Sequence, residues 1–337
     1  MLEPSIVTSK PSPAALTMED LARLAGVSKI TVSRALRDSP LVTPETRALI
    51  RGLAQQHGYK LNVAARNLRL QRSRMIEVVV EMQPAPDRPM SDPYPLELLG
   101  GICQELTTEG YSVLLQAEPK ATGTPVHAAD GIILLGQGPH GDAVRELGKS
   151  GLPMVVWGAE DPTGTNVVVG GDNRHGGEIA AERFLSLGRK RLVFLGDTDH
   201  AEIAARRDGL VARLALGGAT AVTIRPEAFT FGAGAAAIRT LLQDGKTEID
   251  GIFAASDLLA MGAISALGEA GLAVPERVSV IGYDDTPMAA SFVPPLTSIH
   301  QDWREGGVKL ARKILLLIAG QPAASEMLPT RLVVRGT

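Results

Sequence analysis

Two patterns of apolar and polar positions divide this chain. Between Thr17 and Gly58 the apolar residues fall at helical spacing in three short stretches. Leu21, Leu24 and Ala25 make the stripe of a first helix, with Thr17 as its N-cap and Glu19 and Asp20 in a first turn that favours acids. Gly26 permits a tight turn, Ser28 caps a second helix, and Val32, Ala35 and Leu36 share one of its sides. Thr43 caps a third helix, with Pro44 at a first position where its missing N–H costs nothing. Leu49 and Leu53 point that helix inward and Gly58 stops it. Three short helices, the first two joined by a tight turn, predict a helix-turn-helix.

From Met75 the pattern becomes one of continuous apolar runs: 76–82, 111–117, 131–136, 153–158, 166–171, 191–196, 221–224, 251–256, 278–285, 296–301 and 331–336. Helical stretches lie between most of them, at 95–109, 173–187, 201–215, 233–244, 257–270 and 303–319. Apolar strands alternating with helices predict parallel sheets covered on both faces, enough for two lobes. Ligands of such folds bind beyond the C-terminal strand ends, here between the lobes.

A length of 337 residues suits two or three domains. The net charge of -3 hides an asymmetry. Residues 17–74 hold eleven Lys and Arg against four Asp and Glu, a surplus of seven positive charges. Beyond residue 74 the balance is ten negative. A basic module on an acidic body points to a polyanion partner for the module alone. The single cysteine, Cys103, allows no internal disulfide. The lead, residues 1–16, is Pro- and Ser-bearing with no apolar core, so it reads as disordered rather than as a signal peptide. No run approaches the roughly 20 apolar residues of a membrane span. A cytoplasmic protein with no membrane partner is expected.

The outer face of the second helix carries Lys29, Ile30, Ser33 and Arg34. A helix fits the DNA major groove, where Lys and Arg donate to guanine and an apolar side chain meets a thymine methyl. Lys29, Ile30 and Arg34 suit base reading, and Thr31, Ser33 and Arg37 suit phosphates. The competing reading is a solvated face on an ordinary helical bundle.

LTMEDLARLAGVSKITVSRAL, followed by VTPETRALIRGLAQQHGYKLNVAARNL, resembles the DNA-binding head and hinge of the LacI/GalR family of bacterial repressors. The resemblance continues through FLSLGRKRLVFLG, ARRDGL, ASDLLAMGA, VPERVSVIGYDD and PPLTSIHQD, and so spans Leu16 to Thr337 in order. It implies an α/β architecture: a small all-α helix-turn-helix head (17–60), a hinge helix (61–74) and a two-lobed periplasmic-binding-protein-like body (75–337) that binds an effector and dimerises. The lobes are expected at about 75–168 with 303–325, and at about 169–302 with 326–337. The DNA-contacting set is then Thr17, Ser28, Lys29, Ile30, Thr31, Ser33, Arg34 and Arg37 in the head, with Asn62, Ala65 and Leu68 in the hinge. Leu68 matches the family's minor-groove wedge, which kinks DNA to expose more surface. Leu61 stands where the family usually has proline, implying a looser free linker. The partners implied are a pseudopalindromic double-stranded operator, a sugar effector and a second copy of the chain. RLVVRGT carries no leucine heptad, so no tetramerising tail is expected.

For the effector cleft, Arg206 and Asp284 match the family's recurrent polar ligand contacts, and Tyr94 and Phe229 match its flanking aromatics. His200, Glu202, Ser256 and Trp157 join the set. Trp157 and Phe229 also fit a core, and Asp257 reads as a helix N-cap rather than a contact. Two other motifs suggest different chemistry. Gly136, Gly138 and Gly141 spell G-x-G-x-x-G after a strand, with Glu160 and Asp161 about 20 residues on, the nominal dinucleotide fingerprint. It occurs late in the body and Pro139 interrupts it. Asp284 and Asp285 could suggest acid/base catalysis, but neighbours at a strand end diverge and no nucleophile accompanies them. No catalytic residue, metal or cofactor is expected. The alternative function is a dinucleotide-sensing or enzymatic Rossmann domain fused to a DNA-binding head.

Overall fold

Side-chain caps set the helix starts in the computed structural model, which describes residues 16–36, 38–59, 73–82, 92–117, 129–161, 163–245 and 248–337. Arg37, Asn62, Ala65 and Leu68 lie outside the described residues, as do the disordered lead expected before residue 16 and most of the hinge. The chain divides into two units, residues 1–71 and 72–337.

In the first unit, α1 (Met18–Ala25) opens on a capping box: Asp20 N–H donates to Thr17 Oγ1 at 3.2 Å, and Thr17 N–H to Asp20 Oδ2 at 3.0 Å. Gly26, at φ 65°, ends it in a left-handed conformation that favours glycine. Ser28 caps α2 (Lys29–Ala35), and Thr43 with Pro44 starts α3 (Pro44–Gln56). Leu21, Ala22, Val32, Ala35, Val42, Ile50 and Ala54 form the core. Two expected core positions are displaced. Leu24 is 50% exposed and Leu49 52%, because the buried faces run through Ala22 and Ile50.

The second unit alternates strands and helices. Its first part comprises β1 (Met75–Val80), α4 (Pro93–Thr108), β2 (Ser112–Ala117), β3 (Gly131–Leu135), α5 (Asp142–Gly148), β4 (Met154–Trp157) and β5 (Val167–Gly171). Then follow α6 (Asn173–Ser186), β6 (Arg191–Leu195), α7 (Ala201–Leu216), β7 (Thr220–Ile224), α8 (Phe231–Asp244) and β8 (Gly251–Ala254). The chain continues through α9 (Asp257–Glu269), β9 (Ser279–Asp284), α10 (Pro287–Ser291), β10 (Thr297–His300), α11 (Trp303–Ile318), β11 (Glu326–Leu328) and β12 (Arg331–Val333). One sheet has the order β11-β5-β4-β3-β1-β2, all parallel; the other is β12-β10-β9-β8-β6-β7. Helices cover both faces, so β3 is wholly buried, as its unbroken apolar run requires.

Three details depart from the expected lobes. Residues 169–171, placed with the second lobe from sequence, complete β5 of the first sheet. The stretch 326–328, placed with the second lobe from sequence, pairs with β5 in the first sheet, so the chain crosses between Leu328 and Arg331. The closing strand β12 runs antiparallel to β10. Together with the crossings near residues 171–173 and 300–303, three segments connect the sheets, and they run side by side: a Cβ on Gly171 would meet Gln301 and Thr330, and Thr330 Oγ1 donates to the Asp172 carbonyl at 3.2 Å.

Candidate functional site

On the head, α2 turns Val32 and Ala35 fully inward and leaves Lys29, Ile30 and Arg34 exposed. Ile30 is 62% exposed, an apolar group held in water between two cations. Ser28 and Thr17 spend their hydroxyls as caps, and Ser28 Oγ also lies 2.9 Å from Thr31 Oγ1. Lys29 Nζ reaches Glu19 Oε2 at 3.2 Å, an exposed pair that a competing anion displaces at little cost. Arg47 is committed to the Ser39 and Val42 carbonyls, and Arg51 to Asp38, so neither extends the face of α2.

In the second unit, a cleft of about 120 Å³ lies where the strand ends of the two sheets meet. All eight sequence-expected residues line it: Tyr94, Trp157, His200, Glu202, Arg206, Phe229, Ser256 and Asp284. Arg206 rises from α7 and is 6% exposed. Its Nε donates to Asn173 Oδ1 at 2.8 Å, its Nη1 donates to the Ala255 carbonyl at 2.5 Å, and its guanidinium carbon lies 3.6 Å from the Tyr283 ring centroid. That ring is fully buried, and burial pushes its phenol up to about 12, so a neutral aromatic face meets the cation. Asp284 ends β9 at φ 107°, a conformation that side chains rarely adopt and that clusters at functional sites. Its Oδ1 accepts from Gln301 Nε2 at 2.7 Å. The side chain keeps a window on the cleft, yet desolvation holds its carboxyl well above the usual range against the opposing pull of Arg206.

The aromatic assignments resolve into double roles. Trp157 is 5% exposed, belongs to the first-lobe core and still presents an edge to the cleft. Phe229 packs on the second-lobe core and meets the His200 ring edge-on at 5.4 Å. The cap after β8 is one residue earlier than expected: Ser256 caps α9, its Oγ accepting from Leu259 N–H at 3.4 Å. Asp257, expected as that cap, is buried and accepts from Thr286 N–H (2.7 Å), Thr286 Oγ1 (3.0 Å) and Ser298 Oγ (2.6 Å).

Several lining residues escaped the sequence reading, among them Asp92, Gln301 and Trp303. Trp303 follows the Asp302 cap at the first position of α11, where an apolar residue reads as core. It meets the Tyr94 ring edge-on at 5.7 Å, and its Nε1 is buried without a hydrogen-bond partner among the described residues. The signal available was an indole N–H next to a strand end, which a core position rarely leaves unpaired.

The two misleading motifs are explained by geometry. Asp285 turns away from Asp284, pairing with Arg335 at 2.5 Å and with His300 Nδ1 at 3.0 Å. In the glycine loop, Gly136, Gly138 and Gly141 all have positive φ, and Pro139–Gly141 forms a 3₁₀ turn. The His140 N–H crosses to the other lobe and donates to the Asp199 carbonyl at 2.9 Å. The helix that follows starts with Asp142, an acid where a pyrophosphate would have to sit. Among the described residues no group of His, Cys, Asp and Glu could hold a metal ion, and no helix is long and apolar enough to cross a membrane.

Residues 17–62 match the family described as bacterial regulatory proteins, lacI family, and residues 181–337 match the periplasmic binding protein-like domain. The chain is 31% identical over 333 residues to the HTH-type transcriptional regulator CelR of Thermobifida fusca, covering 95% of this chain and 97% of that protein. The structure of the lac repressor dimer bound to operator and the anti-inducer ONPF superposes with a TM-score of 0.83 at 25% identity, covering 96% of this chain and 99% of that one. A CelR–cellobiose complex superposes with a TM-score of 0.69 at 28% identity, covering 95% and 99%. Head and cleft together therefore define a helix-turn-helix transcriptional regulator with a periplasmic-binding-protein-like effector domain. The chain belongs to the lacI family of bacterial regulatory proteins. It is a DNA-binding regulator responsive to a small effector, and not an enzyme.

Proposed function

We propose that this regulator is a repressor that binds a pseudopalindromic operator as a homodimer, and that a small carbohydrate in the cleft controls its operator affinity. One observation carries the carbohydrate reading: Arg206, Asp284, Glu202 and Ser256 surround one cleft together with Tyr94, Trp157, Phe229 and Trp303. Fixed donors and acceptors match neighbouring hydroxyls, and aromatic walls match the apolar face of a sugar ring. The relative CelR, solved with cellobiose, supports a sugar of that kind.

On DNA, Lys29, Ile30 and Arg34 read bases in the major groove, while Thr31, Ser33 and Arg37 address phosphates beside the capping residues Thr17 and Ser28. Asn62, Ala65 and Leu68 serve the minor groove between half-sites. A thermal-shift screen of mono- and disaccharides finds the effector, since a ligand bound only by the native state raises its melting temperature. Operator titrations with and without each hit then test control. Arg206→Ala and Asp284→Ala are expected to bind operator near wild-type affinity and to lose the response to effector. A variant responding at wild-type effector concentrations removes its residue from the site.

A further inference from the structure

Glu202 stands on α7 one turn before Arg206, the i, i+4 spacing at which a glutamate and an arginine ordinarily pair. Here they do not. The Arg206 guanidinium is drawn to Asn173, the Ala255 carbonyl and the face of Tyr283. Other nearby cationic groups are also engaged: Arg225 bridges Asp197 and Asp199 at 3.0 and 2.5 Å, and Arg207 pairs with Asp208 at 2.6 Å. His200 Nδ1 lies 3.6 Å from Asp197 Oδ2 and is itself buried without a hydrogen-bond partner among the described residues. Glu202 Oε2 is consequently buried with no hydrogen-bond partner among the described residues. Asp92, Asp257 and Asp284 line the same cleft, the last two with carboxyls that burial holds above the usual range, so the cleft offers acidic groups and one guanidinium already engaged elsewhere.

A second, independent mark of a ligand lies in the other lobe. Trp303 is 6% exposed and lines the cleft with an indole N–H that has no acceptor among the described residues. A carboxylate only accepts and an indole only donates. A hydroxyl satisfies either, and an ammonium satisfies the carboxylate. An ionised carboxylate or phosphate group set against Glu202 Oε2 offers it no donor and adds like charge beside it.

We infer that Glu202 sets the charge class of the effector: an uncharged or amine-bearing sugar binds, with a hydroxyl or ammonium donating to Glu202, and sugar acids and sugar phosphates are excluded. The inference rests on the carbohydrate reading of the cleft and narrows it.

The test is calorimetric titration of the full chain at pH 6.5 with glucose, galactose, xylose, ribose and cellobiose, and with their acid, phosphate and amino counterparts. Each acid or phosphate is expected to bind at least roughly tenfold more weakly than its neutral parent, as like-charge juxtaposition demands. Glu202→Gln should narrow that gap to a few-fold and Glu202→Lys should reverse it. An acid or phosphate that equals its parent on the wild type overturns the inference alone, as does a gap unchanged in Glu202→Gln. Silence from every compound overturns the carbohydrate reading and this inference with it. A ligand-free measurement guards against a folding artefact. Glu202 Oε2 makes no hydrogen bond for Glu202→Gln to break, so the melting temperature should equal or exceed that of the wild type, and a fall would show the carboxylate to be paired and overturn the assignment.

Discussion

Burial outweighs three donated hydrogen bonds at Asp257, and its carboxyl is pushed up to about 6 from an ordinary 3.8. Between those values the native chain holds a proton that the unfolded chain has lost. This group's contribution to stability is therefore complete below about pH 4 and falls as pH rises through 6, a span of about 3 kcal/mol. Asp257→Asn keeps the shape and an acceptor but cannot titrate. Its unfolding free energy, measured by urea denaturation, should decline less than that of the wild type between pH 4 and 7, and parallel curves would place the titration elsewhere. The same residue shows where sequence reading stops. Thr17, Ser28 and Thr43 were legible as caps because a cap is chemistry within four residues. Asp257 was misplaced as one because its partners, Thr286 and Ser298, are 29 and 41 residues away. Trp303 was missed for a related reason, since its neighbour Tyr94 belongs to a distant helix.

Helices in the body touch through reciprocal glycines. A Cβ on Gly101 of α4 would overlap the Arg304 carbonyl of α11, and one on Gly307 of α11 would overlap the Leu98 carbonyl of α4. Gly177 and Gly209 relate α6 to α7 in the same way, and Gly234 and Gly262 relate α8 to α9. These approaches hold the helix starts that supply Tyr94, Trp303 and Arg206 to the cleft. Adjacent glycines should then respond with opposite signs. Gly100, exposed with nothing within 4 Å of an added Cβ, gains from Gly100→Ala by up to about 1 kcal/mol through helix propensity. Gly101→Ala should cost about 1–3 kcal/mol through overpacking and should weaken effector binding by shifting Trp303. Thermal melts of both variants check the signs, and a Gly101→Ala protein as stable as the wild type would mean that α4 and α11 separate freely. Strand existence was legible from unbroken apolar runs. The three-residue β11 was not, since EML makes no such run, and the antiparallel pairing of β12 leaves no mark on its residues.

Across the whole molecule, the alternation of strands and helices foretold two largely parallel sheets, and the eight expected cleft residues came together because they end a strand, follow one, or lie in the first two turns of the next helix at that edge. The expected lobe boundary at 168 cut through β5 and left 326–328 with the wrong sheet, and the contact between His140 and Asp199 was not legible, because it joins loops of different lobes. Three crossing segments that run side by side leave the lobe angle as the soft coordinate of the body. A ligand that touches both lobes, Trp303 on one and Glu202 and Arg206 on the other, favours one angle by its differential affinity alone. In the homodimer proposed above, that angle is expected to set how two heads meet two half-sites. The coupling must be reciprocal: the factor by which effector changes operator affinity equals the factor by which operator changes effector affinity. A factor of about 5–150, the usual range of such coupling, is expected. Calorimetry of the effector with free and operator-saturated protein, set beside operator titrations with and without effector, measures both sides. Glu202→Gln provides the internal control, since a change in effector affinity that is equal in both operator states leaves the factor untouched. Unequal factors in the wild type would mean that the two titrations do not share one equilibrium, as when the dimer dissociates at the concentrations of only one of them.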